Sequence, residues 1–207
     1  VVPVLEAILR EKGLPVSVDT RKAAVAEAAL SAGATMVNDV SALRDDPEML
    51  PLCAREKVSV VLMHMRGTPK TMQHDPEYGD TVEEIAEELN RFAEDAVAGG
   101  ISRERIVLDP GIGFGKRHVD NLRILQGIQR FRTLGYPLLI GLSRKSFLGR
   151  ILAEKGELRP VELRKEATLA AHVWCMLAGV EYLRVHDVAA TGDARAVIRA
   201  IMEVESS

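Results

Sequence analysis

The segment IVLDPGIGFGKR, residues 106–117, places Asp109 at the end of an apolar run and follows it with three glycines. Five other apolar runs also end in residues that can do chemistry: Asp19, Asn38, the pair Met63 and His64, the GLSRKS turn that begins at Gly141, and the pair Arg184 and His186. Carboxylates and amides can pair with the polar edge of a flat ring, and cations with hydroxyls can bind an anion. The six run ends therefore predict one ligand site, provided that the fold brings them together.

The spacing of apolar residues predicts the strands and helices that position these side chains. Along the chain this spacing alternates between the period of a strand and that of a helix. Such alternation is typical of parallel strands joined by helices. The predicted strands cover residues 15–19, 35–40, 58–64, 105–109, 137–142 and 181–186. The predicted helices are an opening helix that ends at Gly13 and the segments near 21–32, 47–55, 81–98, 121–134, 164–178 and 194–205.

Six such units predict an α/β fold of the TIM (β/α)8 barrel type, here lacking the first two β/α units at the N-terminus. The whole chain, 1–207, is then a single domain that is incomplete at its N-terminus. An open, doubly wound sheet has the same alternation but one crevice at a reversal of strand order. Because six strand ends carry reactive residues, and only a barrel gathers all of them at one mouth, we favour the barrel.

The composition excludes several classes of protein. Apolar residues make up 47% of the chain and charged residues 28%, which indicates one soluble globular domain. The net charge of -3, with interspersed signs, leaves no basic stripe for nucleic acid. No apolar run is long enough to span a membrane. Cys53 and Cys175 lie far apart and have no metal-ligand spacing, so we expect buried free thiols and a cytoplasmic protein.

The glycine segment matches neither common nucleotide motif, because Pro110 and Arg117 occupy positions that GxxxxGK[ST] reserves for Gly and Ser or Thr. Its glycines instead allow the backbone to approach a flat ligand beside Asp109, with Phe114 as an aromatic surface. The loops after the last two strands of a barrel commonly bind phosphate. That position predicts an anion site, formed by Arg144, Lys145, Ser146, Arg184 and His186.

Three further residues are better explained by a structural role than by a functional one. His64 is either a general base or a structural partner, and a lone histidine at a strand end favours the structural role. Trp174 and Met176 are predicted to lie in the core of the helix near 164–178.

Taken together, the motifs SVDT, VNDV, LMHMRGTPKTMQ, LDPGIGFGK, GLSRKSFLGR and RVHDV resemble the dihydropteroate synthase family in order and spacing, over essentially all of the chain. The resemblance implies a TIM barrel that condenses 6-hydroxymethyl-7,8-dihydropterin diphosphate with 4-aminobenzoate, releasing pyrophosphate, in folate biosynthesis. It also implies Mg²⁺ bound with the diphosphate, a homodimer formed through barrel helices, and inhibition by sulfonamides.

The resemblance assigns roles to residues that match the family's motifs. Lys145, Arg184 and His186 are the expected catalytic residues, and Phe114, Lys145 and Ser146 are expected to bind 4-aminobenzoate. Arg184 and His186 are expected to bind the diphosphate. No metal ligand is expected within this chain, since the family's asparagine belongs to a first strand that the sequence does not include. The expected pterin-binding residues are Asp19, Asn38, Val40, Met63, Asp109, Gly113, Gly141, Lys145 and Arg184.

Two other functions remain open from the sequence. One is the pterin domain of a corrinoid-dependent methyltransferase, which shares the barrel and acidic pterin contacts but needs neither SRKS nor an anion-binding RVHDV. The other is a non-catalytic protein or fragment that binds pterin without releasing pyrophosphate. For the synthase itself we expect an SN1-like displacement, in which the electron-rich pterin stabilises positive charge as the diphosphate leaves.

Overall fold

A computed structural model describes residues 1–68, 71–72 and 76–204 of the chain, with the side chain of Lys12 excepted. Pro69, Lys70 and Gln73 of the LMHMRGTPKTMQ motif lie outside the described residues. The described residues form six strands: β1 Ser17–Asp19, β2 Met36–Asp39, β3 Ser59–Met63, β4 Ile106–Asp109, β5 Leu139–Ile140 and β6 Tyr182–Leu183. They also form the α-helices α1 Val2–Lys12, α2 Ala23–Ser31, α3 Met49–Glu56, α4 Thr81–Ala98, α5 His118–Gln126, α6 Ile128–Arg132, α7 Ser146–Ile151, α8 Lys165–Leu177 and α9 Val188–Met202.

The six strands pair in parallel and in the order in which they occur along the chain. β1 to β4 form one continuous ladder, and β5 pairs with β6. A parallel bridge between Leu108 and Leu138 joins β4 to the segment that enters β5. This sequential order has no reversal, so the doubly wound alternative is wrong. All six strand ends therefore lie at the same edge of one curved array.

The hydrophobic core lies between the strands and the surrounding helices. The strands β1 to β4 and the β5 segment contribute apolar, buried residues to this core, and they include Val18, Val37, Val60, Leu62, Ile106, Leu108, Leu138 and Ile140. The strands β3 and β4 are buried on both faces, which explains why their sequences are short continuous apolar runs. The packing of the helices against them fixes which residues of each strand point the other way.

The helix α4 illustrates how local sequence sets the boundaries of an element. The carboxylate of Asp80 accepts hydrogen bonds from the backbone N–H groups of Val82 and Glu83, at 3.0 and 3.1 Å, and so caps the helix. The predicted bounds, 81–98, agree with the observed ones. Its buried residues fall on one stripe: Thr81, Ile85, Ala86, Leu89, Phe92, Ala93 and Ala96.

The opening helix ends at Gly13, as predicted, and Gly13 has a φ of 59°. Gly33, Gly100, Gly135 and Gly179, which lie between a helix and the next strand, also have positive φ. A residue in this left-handed conformation ends a helix without steric cost only when it lacks a Cβ atom.

Two helix predictions need correction, and one helix was not predicted. The segment 121–134 is two helices that meet at Gly127, where a Cβ atom would lie 2.8 Å from the methyl groups of Val82. The last helix begins at Val188, six positions before the predicted start, because Asp187 caps it. α7 was not predicted as a helix.

Trp174 was also predicted wrongly. The side chain is not in the core: the residue is 54% exposed, and its indole N–H donates a hydrogen bond to the carbonyl oxygen of Leu125 at 2.8 Å. Met176 is partly buried.

Candidate functional site

The alternation of side chains along the strands decides which residues share a face. Val37, Leu62 and Leu108 point toward the helices and belong to the core. Their neighbours therefore point into the hollow of the array, and the ladder places Asp19 beside Asn38 and Met63 beside Asp109. The same parity holds for the ends of β5 and β6. The inward-facing end residues are Asp19, Asn38, Met63, Asp109, Gly141 and Arg184.

Asn38 and Asp19 form the first polar pair of this face. The side-chain N–H of Asn38 donates to a carboxylate oxygen of Asp19 at 2.8 Å. The side-chain oxygen of Asn38 is buried and has no hydrogen-bond partner within the part of the chain that the structure describes. Buried polar atoms are nearly always hydrogen-bonded in native proteins, so this oxygen is available to a ligand donor.

Asp109 is the central acid of the site and is only 1% exposed. One carboxylate oxygen accepts a hydrogen bond from the backbone N–H of Gly111 at 2.7 Å, and the other lies 3.5 Å from a guanidinium nitrogen of Arg184. Burial raises the pKa of Asp109, whereas the positive charges of Arg184 and Lys145 oppose that rise. The surrounding cations thus favour the ionised carboxylate, which a ligand donor pair requires.

Arg184 lies across the end of the array. Its guanidinium covers Gly141, where a Cβ atom would be 2.8 Å from the nearest guanidinium nitrogen. Glycine is therefore the residue that leaves room for Arg184 at this position. The second terminal nitrogen of Arg184 is buried and has no hydrogen-bond partner among the described residues. It is a donor that can bind an anionic or carbonyl oxygen of a ligand.

Lys145 joins the strand-end face to the glycine loop, residues 110–116. Its ammonium donates to the carbonyl oxygen of Ile112 and lies 4.6 Å from the centre of the Phe114 ring. Burial, with a smaller contribution from Arg184, lowers the pKa of Lys145 to about 8, although the negative charge of Asp109 opposes the change. Gly113 lies against the stem of this lysine, since a Cβ atom there would be 3.1 Å from its Cδ atom.

A pocket of about 450 Å³ opens beside the glycine loop. Phe114, Lys145 and Ser146, the predicted aminobenzoate residues, all line it, together with Gly113. Such a volume suits a small aromatic ligand. The grouping of these residues, which are distant in sequence, results from the neighbouring positions of β4 and β5.

The remaining predicted residues lie at the rim. Val40 directly follows the end of β2 and is partly buried. His186 follows β6, is exposed, and its Nδ1 atom lies 2.8 Å from the hydroxyl oxygen of Ser143. His186 does not line the 450 Å³ pocket, so the structure separates it from the predicted aminobenzoate residues.

Sequence reasoning missed a buried polar network beneath the glycine loop. The ammonium of Lys116 is 2.9 Å from Nδ1 of His64, and it also donates to the carbonyl oxygens of His64 and Phe114 at 3.3 and 3.0 Å. On its other side, His64 faces the carboxylate of Glu88 at 3.4 Å. The signal for Lys116 was its place at the end of GFGK, but only the fold brings it to His64.

The structure supports the structural interpretation of His64. The residue is fully buried, and burial together with the positive charge of Lys116 lowers its pKa to about 4. A neutral ring accepts from Lys116 through Nδ1 and carries its proton on Nε2, toward Glu88. The pKa of Glu88 falls to about 2, chiefly because of the His64 contact and then because of Arg66.

The described residues contain no group of three or more His, Cys, Asp or Glu side chains that could hold a metal ion. Separately, the structure contains no described helix that is both long and apolar enough to cross a membrane.

Comparison with known proteins assigns the fold and site to a class. The family model described as pterin binding enzyme matches residues 1–186, and the chain belongs to this family. Several relatives of the chain are dihydropteroate synthases. The protein of Synechocystis is 41% identical over 189 residues, which cover 91% of this chain and 64% of the relative. That of Mycobacterium leprae is 42% identical and covers 97% of this chain and 71% of the relative.

Solved structures give the same fold. Dihydropteroate synthase from Stenotrophomonas maltophilia has a TM-score of 0.94 and 39% identity, covering 100% of this chain and 76% of that one. The enzyme from Xanthomonas albilineans in complex with 7,8-dihydropteroate has a TM-score of 0.90 and 41% identity, covering 99% and 73%. The prediction of a TIM-barrel α/β fold is thereby confirmed. The chain spans 64% and 62% of the length of the Synechocystis and Bacillus subtilis relatives.

The buried, neutral His64 predicts a specific loss of stability in acid. An unfolded histidine binds a proton near pH 6.5, whereas folded His64, with a pKa of about 4, does not, so the free energy of unfolding must fall as the pH drops from 7 to 5. The loss from this group is about 2 kcal/mol. Urea unfolding at both pH values should show the loss in the native protein but not in His64→Gln. The exposed substitution His186→Gln is the control, and an equal pH dependence in all three proteins would contradict the assignment.

Proposed function

We propose that this protein is a dihydropteroate synthase, which joins 6-hydroxymethyl-7,8-dihydropterin diphosphate to 4-aminobenzoate and releases pyrophosphate. The observation that carries the proposal is the buried Asp109 carboxylate, which faces Arg184 and is within the electrostatic reach of Lys145. Lys145 in turn lines the pocket beside Phe114. Lys145 thus belongs both to the surroundings of the Asp109 carboxylate and to the aromatic pocket.

The pterin is the partner of the acidic face. A pterin presents a ring N–H next to an exocyclic amino group, and one carboxylate can accept both as a paired, charge-assisted contact. Asp109 has this role, because a rigid strand holds it and the backbone of Gly111 orients it. The unpartnered oxygen of Asn38 accepts a further ring donor, and Met63 packs against the ring from the neighbouring strand.

The ligands of related proteins support these substrates. One Xanthomonas albilineans structure is described with 4-aminobenzoic acid and another with 7,8-dihydropteroate. A Yersinia pestis relative, 37% identical to this chain, is described in complex with a sulfonamide drug. We extend these ligands to the present protein, with 4-aminobenzoate, or a competing sulfonamide, in the pocket of Phe114, Lys145 and Ser146.

The reaction that fits these residues is a displacement with SN1 character. The C–O bond at the pterin methylene breaks, its electron pair leaves with the pyrophosphate, and the pterin ring stabilises the resulting positive carbon. The aromatic amine then forms the C–N bond and releases a proton to water. Arg184 and His186 stabilise the departing anion, and Lys145 and Phe114 hold the amine near the carbon.

Mg²⁺, which neutralises the diphosphate in this proposal, has no cluster of protein ligands among the described residues. The described residues therefore take no part in a step on protein-bound metal.

Full-length protein should release pyrophosphate when both substrates are present, and chelation of Mg²⁺ should abolish the release until Mg²⁺ is added back. Methyl transfer from methyltetrahydrofolate, with no pyrophosphate released, would instead establish the methyltransferase alternative. Pterin binding without either reaction would establish the non-catalytic one.

Asp109→Asn tests the pterin contact. The amide has one acceptor and one donor, so it cannot accept both ring donors, and we expect pterin affinity to fall about 100-fold, in keeping with the cost of a lost charged hydrogen-bond pair. Isothermal titration calorimetry with a pterin measures the effect. The exposed Asp95→Asn on α4 is the matched control. Affinities that agree for the native protein and Asp109→Asn would remove Asp109 from the site.

We further propose a cytoplasmic homodimer formed through the barrel helices. Trp174 and Leu177 on α8 are 54% and 56% exposed, which is unusual for large apolar side chains that lie close together on one helix. Light scattering of the full-length protein should give a molar mass twice that of one chain. The substitution Trp174→Glu should lower the measured mass toward that of a single chain. A monomeric mass for the native protein would contradict the dimer.

A further inference from the structure

The glycine loop needs an anchor, because its own backbone is held in an uncommon shape. Gly111, Gly113 and Gly115 all have positive φ, at 68°, 82° and 63°. The loop lies directly against the chain that follows β3: a Cβ atom at Gly111 would be 1.9 Å from the carbonyl oxygen of His64, and one at Gly115 would be 2.5 Å from that of Arg66. Glycine-rich segments lose more backbone entropy on ordering than others, so contacts must hold this loop in place.

Lys116 supplies contacts of that kind from below. The residue is 4% exposed, and its ammonium has three N–H donors for three acceptors: Nδ1 and the carbonyl oxygen of His64, and the carbonyl oxygen of Phe114. One cation thus links the backbone at Phe114 to the end of β3. On the other side of the ring, Nε2 of His64 lies 3.4 Å from the carboxylate of Glu88 on α4.

Lys145 holds the same loop from the opposite side. It donates to the carbonyl oxygen of Ile112 and lies near the face of the Phe114 ring. The segment 112–114 is therefore fixed between two lysines that both line the ligand pocket, Lys145 on one side and the largely buried Lys116 on the other. Loss of the buried contact releases the Phe114 backbone but leaves the strand-borne Asp109 and Asn38 on their β-ladder.

We propose that Lys116 is a positioning residue for the aminobenzoate pocket, which acts by fixing the backbone of Phe114. The inference rests on the proposed function, because it concerns the pocket for that reaction's second substrate. Lys116 binds through its stem and ammonium to protein groups, and its effect on the reaction passes through Phe114. Its removal therefore weakens the aminobenzoate site selectively and leaves the pterin site nearly intact.

Lys116→Met in the full-length protein is the test, since methionine keeps the apolar stem and removes all three donors. We expect the KM for 4-aminobenzoate to rise about tenfold or more, while the KM for the pterin diphosphate stays within about twofold. Lys155→Met, at an exposed position, is the matched control. Lys116→Gln keeps a hydrogen-bond donor on a shorter side chain and should raise the KM for 4-aminobenzoate by a smaller factor. This variant replaces Lys116→Met in the test if the Met variant does not fold.

A double-mutant cycle with Phe114→Ala separates positioning from a general structural effect. If Lys116 acts through the aromatic ring, Lys116→Met should change kcat/KM for 4-aminobenzoate less than about twofold in the Phe114→Ala background. An unchanged KM for aminobenzoate, an equal rise for both substrates, or full additivity in the cycle would each overturn the inference alone. Absence of pyrophosphate release by the native protein would instead overturn the proposed function.

Discussion

The burial of the Asp109 carboxylate is the constraint on which the rest of the site depends. Burial of this carboxylate, which is 1% exposed, raises its pKa and so disfavours the charged form unless nearby groups compensate. The compensation is a short backbone hydrogen bond from Gly111 and chiefly the positive charges of Arg184 and Lys145, with Lys116 contributing least. These cations come from three successive β/α units, and the parallel order of β4, β5 and β6 brings them to one acid.

The same cations perturb one another. Burial lowers the pKa of Lys145 to about 8 and that of Lys116 to about 7, and in both cases the negative charge of Asp109 opposes the change. The charge of Asp109 therefore favours the protonated form of both lysines. A site built in this way is sensitive to the position of its loops, since a displaced cation alters the ionisation of its neighbours.

Much of this organisation follows from the sequence. The bounds of α4 result from the Asp80 cap and the apolar stripe, and all six strands could be found because each is a short apolar run between helical segments. The prediction was wrong where a local signal competed with packing. Gly127 divides a continuous amphipathic pattern because the backbone there approaches Val82, and Trp174 is half exposed although its residue type favoured burial.

By itself, the sequence determined the alternation of strands and helices and the identity of the reactive residue at each strand end, because side-chain period and polarity are local properties of the chain. Only the tertiary structure decided that Asp109 faces Arg184, that Phe114 lies beneath Lys145, and that Lys116 reaches back to His64. Those contacts join residues that are 75, 31 and 52 positions apart in the chain. Strand register and the packing of helices against the sheet set such distances, and neither is encoded in a short stretch of sequence.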